Sequence, residues 1–356
     1  MILRVLHFVP IFPEVSGVST FAGEIANIQS FLGCEVSIAT SSQFVMKHYP
    51  VTDSVHVVDM NQGTVWNNKP PDIMHIHGLW TLGLRRVVAK AVKAGMPIVW
   101  SPHGMLAPWA MRHKGWKKFP AWWLWQKRDL GKAAAIHCTT EQEVRWCEAL
   151  GFKNCFVVPL GTRGVLSCTE RVGHVKKVLL FVGRLYPVKG LENLIHAWAA
   201  IEGRIRTGWT LRLVGPDQAG YRKVLEKLVR RLGLEASVVF AGARLGDDLN
   251  REYDDCDCLV LPSFTENFGA TIVDALAHGR PCIASTFTPW KELEERGCGW
   301  WVSNEPASLA KTLSDMMNAG EERRMEMGRR GRSLVEEKYT WPAIAQRMKE
   351  KYESLL

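Results

Sequence analysis

Two carboxylates eight positions apart, Glu266 and Asp274, lie in the stretch Ser263-Phe264-Thr265-Glu266-Asn267-Phe268-Gly269-Ala270-Thr271-Ile272-Val273-Asp274. The apolar run Leu259-Val260-Leu261-Pro262 just before it predicts a strand, and Ala270 to His278, closed by Gly279, predicts a helix. One acid therefore falls in a strand-to-helix loop and the other a turn inside the helix. A second group is basic. Gly183-Arg184-Leu185-Tyr186-Pro187-Val188-Lys189-Gly190 follows an apolar run at 178–182 and opens a helix with Leu191, Leu194, Ile195 and Trp198 on one face. Arg184 and Lys189 thus sit at the carboxyl end of a strand, in the crevice where open α/β sheets bind ligands. A guanidinium grips two phosphate oxygens, an ammonium adds a point charge, and the N–H groups of a following helix favour an anion. Basic groups for a diphosphate and carboxylates for hydroxyls together suit a nucleotide-sugar.

The elements that must position these groups alternate strand and helix, the pattern of doubly wound α/β folds. Residues 3–9, 35–39, 73–77, 98–101, 135–138 and 156–162 read as strands of a first domain. Residues 178–182, 210–214, 237–240, 258–261 and 282–285 read as a second sheet. The polar, aperiodic stretch 162–176 reads as the linker, and the tail from Trp341 reads as a polar helix after the break at Tyr339-Thr340-Trp341-Pro342. The expected divisions are 1–165, 166–338 and a terminal helix at 339–356.

At 356 residues the chain is long enough for two domains with full cores. Its 47% hydrophobic and 23% charged residues exclude a disordered chain. No run approaches the ~18 apolar residues of a membrane span, and the N-terminal segment reads as a strand rather than a signal peptide. Nine scattered cysteines without Cys-x-x-Cys argue against a disulfide framework or zinc site and fit a reducing cytoplasm.

Gly183-Arg184…Lys189-Gly190 followed by Glu266…Asp274 resembles the Gly-Arg-x-x-x-x-Lys-Gly and Glu-x7-Glu motifs of retaining GT-B glycosyltransferases of family 4, of the bacterial surface-polysaccharide type. The resemblance covers nearly the whole chain and departs at Asp274, where the family has Glu. It implies two Rossmann-like domains facing a central cleft, an N-terminal acceptor domain, a C-terminal donor domain and a terminal helix crossing back to the first. It implies transfer of a hexose-type sugar from a UDP or GDP donor to a glycan or lipid-linked acceptor. Neither cofactor nor metal is expected. Arg184 and Lys189 would neutralise the leaving diphosphate, and Glu266 would accept hydrogen bonds from donor-sugar hydroxyls. Asn267, Phe268 and Gly269 would offer backbone N–H groups, and Asp274 would hold ribose hydroxyls. His103, in Ser101-Pro102-His103-Gly104, would hydrogen-bond the sugar or its departing phosphate. Of the glycines usual in the first loop, Gly17 carries over. Arg244, after a second-domain strand, would contact the base.

Other groups have plainer readings. His75 and His77 share one strand face, a metal pair without an evident third ligand, and read as core. Asp255-Cys256-Asp257 lies at the entering end of its strand, away from metal chemistry. Residues 116–128 combine Trp with Lys and Arg, and residues 1–165 hold 17 Lys+Arg against 10 Asp+Glu, which fits contact with an anionic membrane surface at the inner face of the cell membrane. The sugar-nucleotide motifs make nucleic acid a poor second explanation of this charge. A sugar-nucleotide epimerase of the same fold and a non-catalytic sugar or lipid binding module are the alternatives. A phosphorylase lacks a pyridoxal motif, and a dinucleotide oxidoreductase lacks Gly-x-Gly-x-x-Gly after a strand.

Overall fold

The computed structural model of the protein describes residues 2–9, 17–40, 51–59, 70–81, 83–162 and 177–356. Most of the expected linker and the loop residues 13–16 lie outside these. The chain divides into two compact units, Met1–Gly161 with Trp341–Leu356, and Thr162–Thr340.

The first unit is built on seven parallel strands: β1 (Arg4–Val9), β2 (Glu35–Thr40), β3 (Val55–Asp59), β4 (Ile73–His77), β5 (Ile98–Ser101), β6 (Ala135–Cys138) and β7 (Cys155–Val157), in the order β3-β2-β1-β4-β5-β6-β7. The second has six: β8 (Lys177–Val182), β9 (Trp209–Val214), β10 (Val238–Gly242), β11 (Cys258–Leu261), β12 (Cys282–Ser285) and β13 (Gly299–Val302), in the order β10-β9-β8-β11-β12-β13. Both sheets reverse their winding beside their first strand, between β1 and β4 and between β8 and β11. Loops leaving the two neighbouring strands part there and open a crevice at their carboxyl ends. β4, β5, β11 and β12 are buried along their whole length, as strands covered on both faces must be.

Six helices matter below: α1 (Gly17–Phe31), α2 (Gly115–Ala121), α3 (Glu141–Ala149), α4 (Leu191–Ala200), α5 (Ala270–Ala277) and α6 (Trp341–Glu353). The expected buried face of α4 forms: Leu191, Leu194, Ile195 and Trp198 are all buried. The terminal helix α6 is amphipathic rather than polar. Trp341, Ile344, Ala345, Met348 and Tyr352 are buried and join Phe21, Ile25 and Val36 in one core cluster, so the tail is part of the first unit. Among the described residues, no helix is long and apolar enough to cross a membrane.

Candidate active site

In the second unit the two motif loops are laced together at the β8/β11 switch point. Gly190 has φ +69°, and a Cβ there would lie 2.1 Å from the carbonyl oxygen of Pro262. Only a glycine lets the turn after β8 press against the exit of β11. Phe264 N–H donates to the Val188 carbonyl at 2.8 Å, fixing the same approach. The result is that Lys189 Nζ donates to Glu266 Oε1, and Ser263 Oγ donates to the same oxygen at 2.8 Å. The two charged side chains are only 16% and 12% exposed, so their attraction is little screened by water.

Arg184 is exposed and donates from Nη1 to Gln218 Oε1 at 2.9 Å. Its loop is braced by the loop after β9: Leu185 N–H donates to the Pro216 carbonyl, and a Cβ on Gly215 would come within 1.8 Å of the Gly183 carbonyl oxygen. The 215–217 loop therefore supports the Gly183-Arg184 turn.

Gly269, at φ +84°, caps the start of α5. Phe268 is buried against Trp290, whose indole N–H donates to the Phe268 carbonyl at 2.5 Å. With that side chain anchored, Asn267 to Gly269 form a fixed entrance to the N-terminus of α5.

Asp274 lies further along α5. Its Oδ1 accepts from Thr162 Oγ1 at 2.9 Å. Burial raises its carboxyl from 3.8 to about 6, against the Thr162 hydrogen bond, which lowers it. A folded-state value above the unfolded one means folding penalises the ionised form. The penalty is absent below about pH 4 and complete above about pH 6. Asp274→Asn is therefore expected to stabilise the protein at pH 7.5 by roughly 1–3 kcal/mol and to leave it unchanged near pH 4. Thermal unfolding of both proteins across this range checks it; equal gains at both pH values would contradict it.

Arg244 is not brought to this group. Its guanidinium pairs with Glu252 at 3.5 Å, on a carboxylate that also takes Arg212 at 2.5 and 2.7 Å. The pocket it lines includes Val178 and Asp255, at the amino ends of β8 and β11. Arg244, expected at the base, is held here in an ion pair with Glu252. Asp257 is likewise structural: its Oδ2 accepts from Val178 N–H at 2.7 Å.

In the first unit, Gly17 begins α1, and a Cβ there would meet nothing within 4 Å. His103 follows β5 in the left-handed region, at φ +51°. Its Nε2 lies 3.1 Å from Nδ1 of His77, and burial lowers its pKa to about 3. Glu143 of α3 holds the loop: Gly104 N–H donates to Oε1 at 2.6 Å, and Thr139 N–H donates to Oε2 at 2.8 Å. Sequence reasoning missed Glu143, although Thr140-Glu141-Gln142-Glu143 is a capping-box pattern that could have marked it. It also missed the third histidine beside His75 and His77. β1 pairs with β4 in the register His7↔His75, which brings His7 Nδ1 to 3.0 Å from His77 Nε2. The side-chain nitrogens of His7, His75 and His77 lie within 4.8 Å of one another, as do the sulfurs of Cys138, Cys147 and Cys155, so the cysteines are not all scattered.

Residues 115–130 form helix with a π turn at Trp122–Gln126. Trp122, Gln126 and Leu130 face inward, Trp122 against Trp80 and Phe152. Trp116, Phe119 and Trp123 are 75%, 66% and 63% exposed at helical spacing, with Lys117 over the Trp116 ring and Lys127 over the Trp123 ring. The wide turn thus sorts the aromatic residues into a buried and an exposed set, which the sequence pattern alone does not separate.

Residues 16–161 match the family profile described as Glycosyl transferase 4-like domain, and residues 170–334 match that of Glycosyl transferases group 1. An uncharacterized glycosyltransferase of Methanocaldococcus jannaschii is 34% identical over 172 residues, 48% of this chain and 43% of that protein. The lipopolysaccharide 1,2-N-acetylglucosaminetransferase of Salmonella typhimurium is 28% identical over 182 residues, 49% of this chain and 47% of that protein. The matches thus span less than half the length of these relatives. Among solved structures, Anabaena HepE in complex with UDP and glucose superposes with a TM-score of 0.78 over 99% of this chain and all of that one, at 19% identity.

Proposed function

We propose, for a chain that belongs to the GT4-type glycosyltransferases and has their GT-B fold of two Rossmann-like units, that it moves a hexose-type sugar from a UDP or GDP donor to a glycan or lipid-linked acceptor with retention of anomeric configuration. The observation that carries this reading is the Lys189–Glu266 pair braced by Ser263 at the β8/β11 switch point. Lys189 and Arg184 neutralise the charge that gathers on the leaving diphosphate, a term that is often the largest in catalysis. Their two fixed charges do the work a divalent metal does elsewhere, so the reaction is metal-independent. Glu266 accepts from donor-sugar hydroxyls, the N–H groups opening α5 face the anion, and Asp274 takes the ribose. His103 hydrogen-bonds a sugar. The two carboxylates sit on one strand-to-helix unit and bind, whereas a hydrolase would set them on either side of the anomeric carbon. A thermal-shift series tests the donor class: UDP and GDP sugars stabilise the wild type through mass action and fail to stabilise Lys189→Ala. No stabilisation by any nucleoside diphosphate sugar would overturn it.

The place of action we propose is the cytoplasmic face of the cell membrane, in surface-polysaccharide synthesis. Exposed Trp116, Phe119 and Trp123 among Lys114, Lys117, Lys118 and Lys127 form an interfacial segment: rings for the headgroup boundary, ammonium groups for anionic lipid. Sedimentation with vesicles containing an anionic lipid is expected to fall at least fivefold for the triple variant Trp116→Ser/Phe119→Ser/Trp123→Ser, each neutral–apolar loss being worth roughly 1 kcal/mol or more. Equal sedimentation of the two proteins would remove membrane contact from the account.

A further inference from the structure

The first unit buries four histidines in its strands and holds His103 half-buried at its loop, and their hydrogen bonds form two ordered runs. The first begins at a backbone carbonyl. His137 Nε2 lies 2.7 Å from the carbonyl oxygen of Val158, which can only accept, so His137 is protonated on Nε2. Its Nδ1 is then an acceptor, and Ser101 Oγ, at 2.6 Å, must donate to it. The Ser101 oxygen is left to accept from His75 Nε2, also at 2.6 Å. His75 Nδ1 in turn accepts from the Tyr352 hydroxyl at 2.5 Å.

The Gln29 amide stands apart from this run: among the described residues its nitrogen makes no hydrogen bond, and its Oε1 lies 2.8 Å from His7 Nε2. An amide oxygen can only accept, so it starts a second run. His7 is therefore Nε2-protonated and accepts on Nδ1 from His77 Nε2 at 3.0 Å. His77 Nδ1 accepts from His103 Nε2 at 3.1 Å. Each ring uses the same tautomer, set from the Val158 carbonyl for His137 and His75 and from Gln29 Oε1 for His7, His77 and His103.

We propose that this second run is a tautomer lock on His103: it fixes the ring proton on Nε2 and leaves Nδ1 as a lone pair that accepts from a sugar hydroxyl and cannot donate to a phosphate oxygen. His77 and His7 are positioning residues for that contact. The lock stands on the geometry of the first unit; that its ligand is a sugar rests on the function proposed above. Among the described residues Nδ1 of His103 makes no hydrogen bond, and Glu143 holds the loop in its left-handed turn through Gly104. Burial keeps the rings neutral: His7 and His137 fall to about 4, and His75 and His77 lie well below 6.5. A metal on His7, His75 and His77 would meet rings whose nitrogens are all hydrogen-bonded already.

The test reads tautomers directly. Long-range 1H–15N spectra of histidine-labelled protein at pH 7, with His103 assigned by a His103→Asn variant, are expected to show His103 neutral and protonated on Nε2. A proton on Nδ1, or a charged ring, would overturn the lock whether or not the protein transfers sugar. His77→Phe removes the acceptor for His103 Nε2–H and is expected to mix its tautomers and cut kcat/KM about 3- to 10-fold, the worth of one neutral hydrogen bond. His77→Asn places Oδ1 where Nδ1 was and is expected to restore the single tautomer and most of the rate. Equal losses in both variants with an unmixed His103 would refute the positioning role. If His77→Phe does not fold, the wild-type spectrum alone decides. A locked His103 in a protein that moves no sugar would refute the enzymatic reading and leave the lock standing.

Discussion

Lys189→Ala is expected to lower kcat/KM for the nucleotide-sugar by about 10²–10³-fold, the usual cost of losing one charged stabiliser of a transition state. The loss has two parts. On the proposed roles, the leaving diphosphate would keep only Arg184, an exposed side chain held by one neutral hydrogen bond to Gln218. Glu266 keeps only Ser263 as a partner, and its carboxylate is 12% exposed. A carboxylate left without its cation in such a place binds sugar hydroxyls in a poorer position. Glu266→Ala should therefore cost a similar factor, and the double variant little more than either alone, because the pair acts as a unit. Steady-state kinetics on the three variants, with circular dichroism to confirm folding, check this. Strictly multiplicative losses would mean that Lys189 and Glu266 act independently, and the ion pair would then be incidental.

The second large effect is acid lability of the first unit. His7, His75, His77 and His137 are fully buried and their folded-state pKa values are depressed, chiefly by burial. Folding thus favours the neutral rings. Their contribution is complete above the unfolded value of about 6.5 and is lost as pH falls through the folded values near 4. For His7 or His137 alone the difference corresponds to roughly 3 kcal/mol at full protonation. A charged ring also breaks its ordered run, since a doubly protonated histidine has no acceptor to offer. Hydrogen exchange of β1, β4, β5 and β6 is expected to lose protection between pH 6 and pH 4. The second unit should respond in the opposite sense through Asp274, whose penalty disappears over that range. Unchanged protection of the first sheet at pH 4 would show that the rings are solvated rather than locked.

The sequence made most strands easy to read, the edge strands β3 and β13 excepted. β11 is an unbroken apolar run, and β4, β5 and β12 are apolar but for the buried His75, His77, Ser101 and Ser285. β3 carries His56 and Asp59 among its valines, and β13 is only the four residues Gly299-Trp300-Trp301-Val302. Lys189 and Glu266 were legible because each belongs to a local pattern of strand, loop and helix. Their pairing needed only adjacency of β8 and β11. The histidine runs were not legible, because they join residues from β1, β4, β5 and β6 with Gln29 and Tyr352. His75 and Tyr352 stand 277 positions apart and meet only once α6 returns to the first unit. The ion pair of Arg244 with Glu252 was not legible for a related reason: it joins the loop after β10 to the helix that follows.

The most direct test of the central claim is transfer of labelled hexose from UDP- and GDP-sugars to lipid-linked or free glycan acceptors by the wild type and by folded Glu266→Ala. The account predicts a glycoside of unchanged anomeric configuration from one of these donors, formed with chelator present, and about 10²–10³-fold more slowly by the variant. Wild-type activity in Glu266→Ala, or a product of inverted configuration, would contradict it.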